Sequence, residues 1–213
     1  MKKQILMLTA LSCLSFNAMA ELSFSPVLKK DGSSGVDFSI PYKLGTHKGN
    51  ASRVEGKVIT DDTGKVLQAQ IYVPITNLST NNASRDCHMR EALGIDYTHS
   101  AFPDKHVCDD NNQTPATGVD SIAYPHIVLN FLSLDEATNI VRGTLEIHGI
   151  SKPVALPVQI TKKSVDGKTA YNLKAQFKVL LSDYNIKVKP FTLGPAKIGV
   201  GNEASVNLDL DLE

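Results

Sequence analysis

The densest cluster of chemically capable side chains is Arg85-Asp86-Cys87-His88-Met89-Arg90-Glu91. On a helix, Asp86 and Arg90 stand at i and i+4, where opposite charges can pair. The same run reads either as a solvated face or as a polar lid over a cavity mouth, with an arginine meeting a polar headgroup. Downstream, His99, His106 and Cys108 share one polar stretch. Chelation needs ligands held in a fixed geometry, and this spacing matches no zinc signature. Cys87 and Cys108 are not spaced C-x-x-C, the arrangement of a redox pair. The chain has no G-x-S-x-G, no H-E-x-x-H and no glycine loop that would cradle a phosphate. Gly199-Val200-Gly201 precedes a strand pattern and reads as a turn or bulge, and His148 falls on the polar face of its strand pattern. The expectation is a protein that is not an enzyme and carries no cofactor.

The elements that must position these residues are strands. Leu67, Ala69, Ile71, Val73 and Ile75 form one row of a period-2 alternation, with Gln68, Gln70, Tyr72 and Pro74 opposite. The same pattern recurs at 141–148, 154–160, 171–179 and 206–212, and further candidates are 35–41, 53–60 and 126–134. Asp31-Gly32, Asp62-Thr63-Gly64, Gly149-Ile150-Ser151 and Asp166-Gly167 are the turn signals between them. Pro74 and Pro157 sit inside strand patterns, so strand ends, edges or bulges are expected there, because proline cannot donate to a ladder. A sheet with one wet face must bury the other. About eight antiparallel strands with regular hairpin spacing favour an up-and-down barrel over a sandwich. The one helical segment is 83–93, capped by Asn82 or Ser84, and a long polar insertion follows over 94–123.

The first twenty residues have the form of a cleavable leader. Met1-Lys2-Lys3 is followed by an apolar run from Ile5 to Phe16 and by Ala18-Met19-Ala20, a small-residue cleavage site. The run is shorter than the roughly 20 apolar residues that span a bilayer. Removal after Ala20 leaves a single domain over 21–213, directed to the periplasm, with no segment for stable membrane insertion. Basic and acidic residues balance at 22 each over the whole chain, and no basic stripe suggests nucleic acid. In an oxidising compartment the two cysteines left in the mature chain favour a disulfide, Cys87 to Cys108. Closing a loop of about 20 residues stabilises by roughly 3 kcal/mol through unfolded-state entropy. Inward-facing residues are mostly Val, Leu, Ile, Ala and Gly, with no Trp to fill the middle. Such an interior is compatible with a cavity for one small ligand and equally with a solid core.

Several stretches together resemble the YceI-like family of periplasmic lipid-binding proteins. Arg85-Asp86-Cys87-His88-Met89-Arg90 resembles its R-D-x-H-L-R helix, and Tyr124 to Phe131 its Y-P-x-I-x-F strand. Val141 to Val154 is similar to its G-x-L-T-I-H-G-V-T-K-P-V hairpin. Ser182-Asp183-Tyr184 and Ile198 to Glu203 resemble S-D-F and I-G-V-G-D-E. The matches run in family order across most of the mature chain. Three features depart from the pattern: Ser33 stands where the family has His, Leu181 precedes Ser182, and the stretch before Tyr124 is longer and holds Cys108.

The resemblance implies a lipocalin-like antiparallel barrel that holds a long-chain isoprenoid, quinone or fatty-acid derivative without catalysis. Phe38, Ile71, Leu129, Phe131, Leu145, Ile147, Leu173 and Phe177 would line the interior. Arg85, His88 and Arg90 would meet the headgroup, and Met89 beside them belongs to the ligand-binding set. Homodimer formation is compatible with this reading. The rival readings are a redox or metal-dependent factor using Cys87, Cys108 or the His99–His106 loop, and a protein-interaction module.

Overall fold

The period-2 rows form antiparallel strands, and the polar positions opposite them form the outer surface. The computed structural model describes residues 22–61, 65–96, 121–188, 190–193 and 196–213. The leader, His99, His106, Cys108 and most of the 94–123 insertion lie outside these residues. In chain order the strands are β1 (Leu22–Phe24), β2 (Pro26–Val27), β3 (Val36–Tyr42), β4 (Gly45–Ala51), β5 (Glu55–Thr60) and β6 (Val66–Pro74). A 3-10 turn leads to β7 (Leu78–Ser79), helix α1 (Ala83–Ala92), β8 (Ile95–Asp96) and β9 (Ser121–Ile122). β10 (His126–Asp135), β11 (Ile140–Ile147), β12 (Ile150–Val165) and β13 (Lys168–Leu180) follow, then β14 (Phe191–Leu193), β15 (Ala196–Ile198) and β16 (Glu203–Leu212). Each expected alternating segment corresponds to a strand, with one or two terminal residues such as Ile75 and His148 falling in the adjoining turns.

The main sheet runs β1-β5-β6-β10-β11-β12-β13-β16-β3-β4-β7, with β2 added on β16. It is antiparallel and strongly curled, a half-barrel with one short helix, as the all-β barrel expectation required. Right-handed strand twist produces such a curl. Its two ends, β1 and β7, are not paired with each other. Strands that change partners link the halves instead. β1 pairs with β5, and after Ser25 the chain pairs through β2 with β16. Ser25 and Glu213 exchange both backbone bonds, at 2.8 and 3.0 Å. On the far side β6 continues through the 3-10 turn into β7, which pairs with β4.

β12 is the third switching strand. Ile150–Pro157 pairs with β11, and Val158–Val165 pairs with β13. Pro157 lies at the changeover, and Pro74 is the last residue of β6. Both prolines thus occupy the interrupted positions that their missing N–H demands. The β11–β12 turn is His148-Gly149, with φ of 53° and 72°, one step earlier than the expected Gly149-Ile150-Ser151. His148 is therefore a turn residue rather than a member of the strand's polar face.

The inner face of both halves forms one core. Ile71, Leu173, Leu210 and Leu212 are at most 2% exposed. On the outer face of the β13–β16 half, buried Asn172 donates to Asp209 Oδ1 at 2.8 Å and Asp211 Oδ1 at 2.9 Å. Partial burial alone would raise the Asp209 carboxyl. Hydrogen bonds from Lys29 and Asn172, with the charges of Lys29 and Lys174, outweigh it and hold the group at about 2.

Candidate ligand-binding interior

Cross-strand register decides which predicted residues meet. In one half, Ile71, Leu129 and Leu145 lie side by side across β6, β10 and β11. Phe131 faces Ala69 and Gly143 in the next row, and Ile147 closes the β11 hairpin opposite Ile150. In the other half, Phe38, Val206 and Phe177 form a row across β3, β16 and β13, and Leu173 pairs with Leu210 four residues away along β13 and β16. All eight sequence-predicted lining residues therefore face the interior.

They are not equally covered. Ile71, Leu129, Phe131, Leu145, Ile147 and Leu173 are buried, at 1–5% exposure. Phe38, Val206 and Phe177 face the same interior but remain only partly buried, as does Val154 of β12. A filled barrel would cover these side chains as fully as it covers Leu210. Gly49 makes room for the row: a Cβ there would sit 2.3 Å from Phe38 Cζ and 2.6 Å from the Ser79 carbonyl oxygen. Sequence reading missed Val206 and Val154 as site residues, although both lie on inward rows of strands it had found.

The half-buried row lies beside a gap in the sheet. The β12–β13 ladder ends at Val158↔Ala175, whereas β13 stays paired with β16 as far as Leu180↔Glu203. Ile150–Pro157 and Gln176–Leu180 thus face each other without a ladder. One end of the gap is crossed by His148, whose Nδ1 lies 3.2 Å from the Tyr184 carbonyl oxygen. Tyr124 meets the other side of that imidazole edge-on, with ring centroids 4.9 Å apart.

Helix α1 begins at the expected cap, where the Asn82 side chain accepts from the Arg85 amide at 2.9 Å. Asp86 does not use its i+4 relation to Arg90. Its carboxylate accepts from Ser79 Oγ at 2.8 Å and from the Thr80 amide at 2.7 Å, a nearer set of donors on the chain entering the helix. The Arg85 guanidinium donates to Thr80 Oγ1 and the Thr80 carbonyl, and Nη1 lies 3.2 Å from His47 Nδ1. Because arginine can only donate, His47 Nδ1 is the acceptor there. His47 stacks on Tyr42. Burial and then the Arg85 charge lower its pKa. Arg90 donates from Nη2 to the Leu78 carbonyl at 2.8 Å, while its buried Nε has no partner. His88 is half exposed, 3.7 Å from Glu91, and Met89 packs against the core. Cys87 is fully buried.

Two cavities flank the interior. One, of about 350 Å³, is lined by Pro26, Val27, Leu28, Ser34, Arg53 and Val54, with Ser52, where β4 turns into β5. The other, of about 260 Å³, has Val66, Val158, Ile160 and Tyr171 in its wall and Lys65, Lys162 and Glu136 around it. None of the sequence-predicted lining residues borders either one. Among the described residues, no three His, Cys, Asp or Glu side chains come together as a metal site, and no helix is long and apolar enough to cross a membrane.

A strongly curled antiparallel half-barrel with an apolar inner face and a short helix beside it is the architecture of the YceI-like fold. The YceI-like domain family matches residues 29–212, and the chain belongs to it. Protein YceI of Escherichia coli O157:H7 is 27% identical over 206 residues, covering 92% of each chain. The polyisoprenoid-binding domain from Saccharophagus degradans, implicated in plant cell wall breakdown, superimposes with a TM-score of 0.53 at 14% identity, over 90% of this chain and 93% of that one. Campylobacter jejuni YceI gives a TM-score of 0.55 at 18% identity, over 78% and 85%. Burkholderia cenocepacia BcnA gives 0.53 at 15%, over 83% and 95%.

Proposed function

We propose that the protein is a carrier that sequesters one long-chain amphiphilic lipid, a polyisoprenoid, quinone or fatty-acid derivative, against the inner face of its half-barrel. The observation that carries this reading is the Phe38–Val206–Phe177 row, inward, in register and only partly buried beside an unladdered gap. Binding is by burial. Each CH₂ moved from water contributes roughly 0.8 kcal/mol, so a long chain is held without a dense set of polar contacts. The relationship to a polyisoprenoid-binding domain supports the class of guest. The buried, unpartnered Arg90 Nε supports a headgroup position near α1, with Arg85, His88 and Met89 around it. No bond is made or broken in this reading.

The proposed setting is the periplasm, reached by cleavage after Ala20, with 21–213 acting as one domain. A Cys87–Cys108 disulfide would pin the inserted stretch to α1. Complete burial of Cys87 supports that pairing. Mass spectrometry of organic extracts of the purified protein tests the function, with a co-purifying prenyl or acyl lipid as the expected result. An extract free of lipid, together with an experimental structure whose interior is packed solid, would remove it.

A further inference from the structure

The gap between β12 and β13 coincides with the positions of two prolines. Val158 donates its amide to the Asn139 carbonyl at 2.8 Å. Even-numbered amides of β12 therefore face β11, and odd-numbered ones face β13, since successive amides alternate in an antiparallel ladder. Val158↔Ala175 sets the register, so the next bonding positions opposite β13 are 157, 155 and 153, facing Gln176, Lys178 and Leu180. Two of these three are proline, Pro157 and Pro153. The ladder stops at the step where Pro157 would have to donate. Only Ala155 retains an N–H between them. Proline is one of the devices that keep a sheet edge from pairing.

The β13 side of the gap is equally well determined. Asp209 donates to the Gly35 carbonyl at 2.7 Å, so odd amides of β16 face β3 and even ones face β13. With Phe177 opposite Val206, the amides of Phe177 and Val179 close the β13–β16 ladder, and those of Lys178 and Leu180 point into the gap. Behind this edge stand Phe177, Val206 and Val154, the partly covered side chains of the interior.

We propose that the run between Ile150–Pro157 and Gln176–Leu180 is a side portal through which a prenyl or acyl chain reaches the interior, and that Pro153 and Pro157 hold it open. The portal rests on the carrier reading above and adds its route of access. Pro153 and Pro157 are positioning residues: they withhold donors and touch no guest. Restoring both N–H groups with Pro153→Ala and Pro157→Ala lets the ladder extend toward the His148–Tyr184 crossing.

The experiment combines amide hydrogen exchange with release of an apolar dye, N-phenylnaphthylamine, from the whole protein. In the wild type, Lys178 and Leu180 amides should exchange at least about tenfold faster than those of Phe177 and Val179. In the double variant the Lys178 amide should become protected, and dye release should slow roughly five- to tenfold for each ladder bond formed. Protection of Lys178 equal to that of its neighbours in the wild type overturns the portal and leaves the carrier reading standing. Dye release unchanged in a variant whose Lys178 amide has become protected also overturns the portal. A double variant in which Lys178 stays unprotected shows that the prolines are not what holds the gap. Failure of the dye to bind the wild type removes the carrier reading and the portal with it. The wild-type exchange pattern needs no substitution, so it decides the question even if the double variant does not fold.

Discussion

Replacing Asn172 with alanine should destabilise the protein strongly near neutral pH and much less in acid. Asn172 is 5% exposed and directs one amide group at Asp209, Asp211 and the Leu210 carbonyl, at 2.8, 2.9 and 3.2 Å. A hydrogen bond to a charged group contributes about 1.5–3 kcal/mol. Two hydrogens shared among three acceptors, beside partly exposed carboxylates, place the loss at the lower end, about 3 kcal/mol for the pair. For a domain of this size each kcal/mol moves Tm by roughly 2–4 °C, so a fall of about 6–12 °C is expected near pH 7. The pH dependence is the sharper test. The Asp209 carboxyl is held at about 2 against an ordinary 3.8. A depressed carboxyl contributes stability that is full above the unfolded value and is lost as pH falls through the folded one. In the variant Asp209 moves back toward 3.8, so its stability falls less steeply over that interval. The difference between wild type and variant should therefore narrow between pH 3.8 and about 2. Thermal unfolding at a series of pH values, with carboxyl titration by NMR, measures both effects. A difference that stays constant from neutral pH to about pH 2.5 would refute the reasoning.

Three further outcomes follow from the interior and the helix end. Gly49→Ala places a Cβ 2.3 Å from Phe38 Cζ and 2.6 Å from a backbone oxygen; overpacking should cost roughly 1–3 kcal/mol and weaken dye binding, read by denaturant unfolding and fluorescence titration. Phe177→Ala should weaken dye binding while costing less stability than Leu210→Ala, which empties a fully covered site at about 2–5 kcal/mol. His47 is held below its ordinary 6.5 by burial and by Arg85. The unfolded chain takes up that proton first, so stability should be full above 6.5 and decline as pH falls below it, with His47→Gln flattening the decline in Tm.

The strands were legible where interior positions are large and apolar. The rows through Ile71, Leu145, Phe177 and Leu210 alternate cleanly, and each faces the expected side. β4 was not legible. Its inward positions are His47, Gly49 and Ala51, because Tyr42 and Phe38 on the neighbouring strand take up the space, and a row of small or polar residues leaves no period-2 signal. β12 reads from composition as a short strand starting at Val154, but it runs from Ile150 to Val165. Its first half borrows partners from β11 and its second half from β13, and pattern alone does not reveal a change of partner. Pro157 was the available sign of that change. The helix and its Asn82 cap were readable from local chemistry. The commitments of Asp86 and Arg85 to Ser79 and Thr80 were not, because they depend on where the chain enters the helix.

The partner-switching N-terminal strap is the feature most open to a decisive test. Phe24 is 7% exposed and meets Tyr171 edge-on, with ring centroids 4.9 Å apart, while Ser25 is bonded in both directions to Glu213. The strap thus touches β5 through β1 and the ends of β13 and β16 through Phe24 and β2. If it joins the halves, damage to it should be felt on both sides. Phe24→Ala should cost about 3–5 kcal/mol by loss of a buried ring and enlarge the cavity walled by Tyr171. Ser25→Pro removes one backbone donor while leaving the ring in place, so it separates ladder from packing. Both variants should speed amide exchange in β5 and in the C-terminal part of β16 together. Faster exchange confined to residues 22–27, with β16 unchanged, would mean that the strap covers the sheet without coupling its halves.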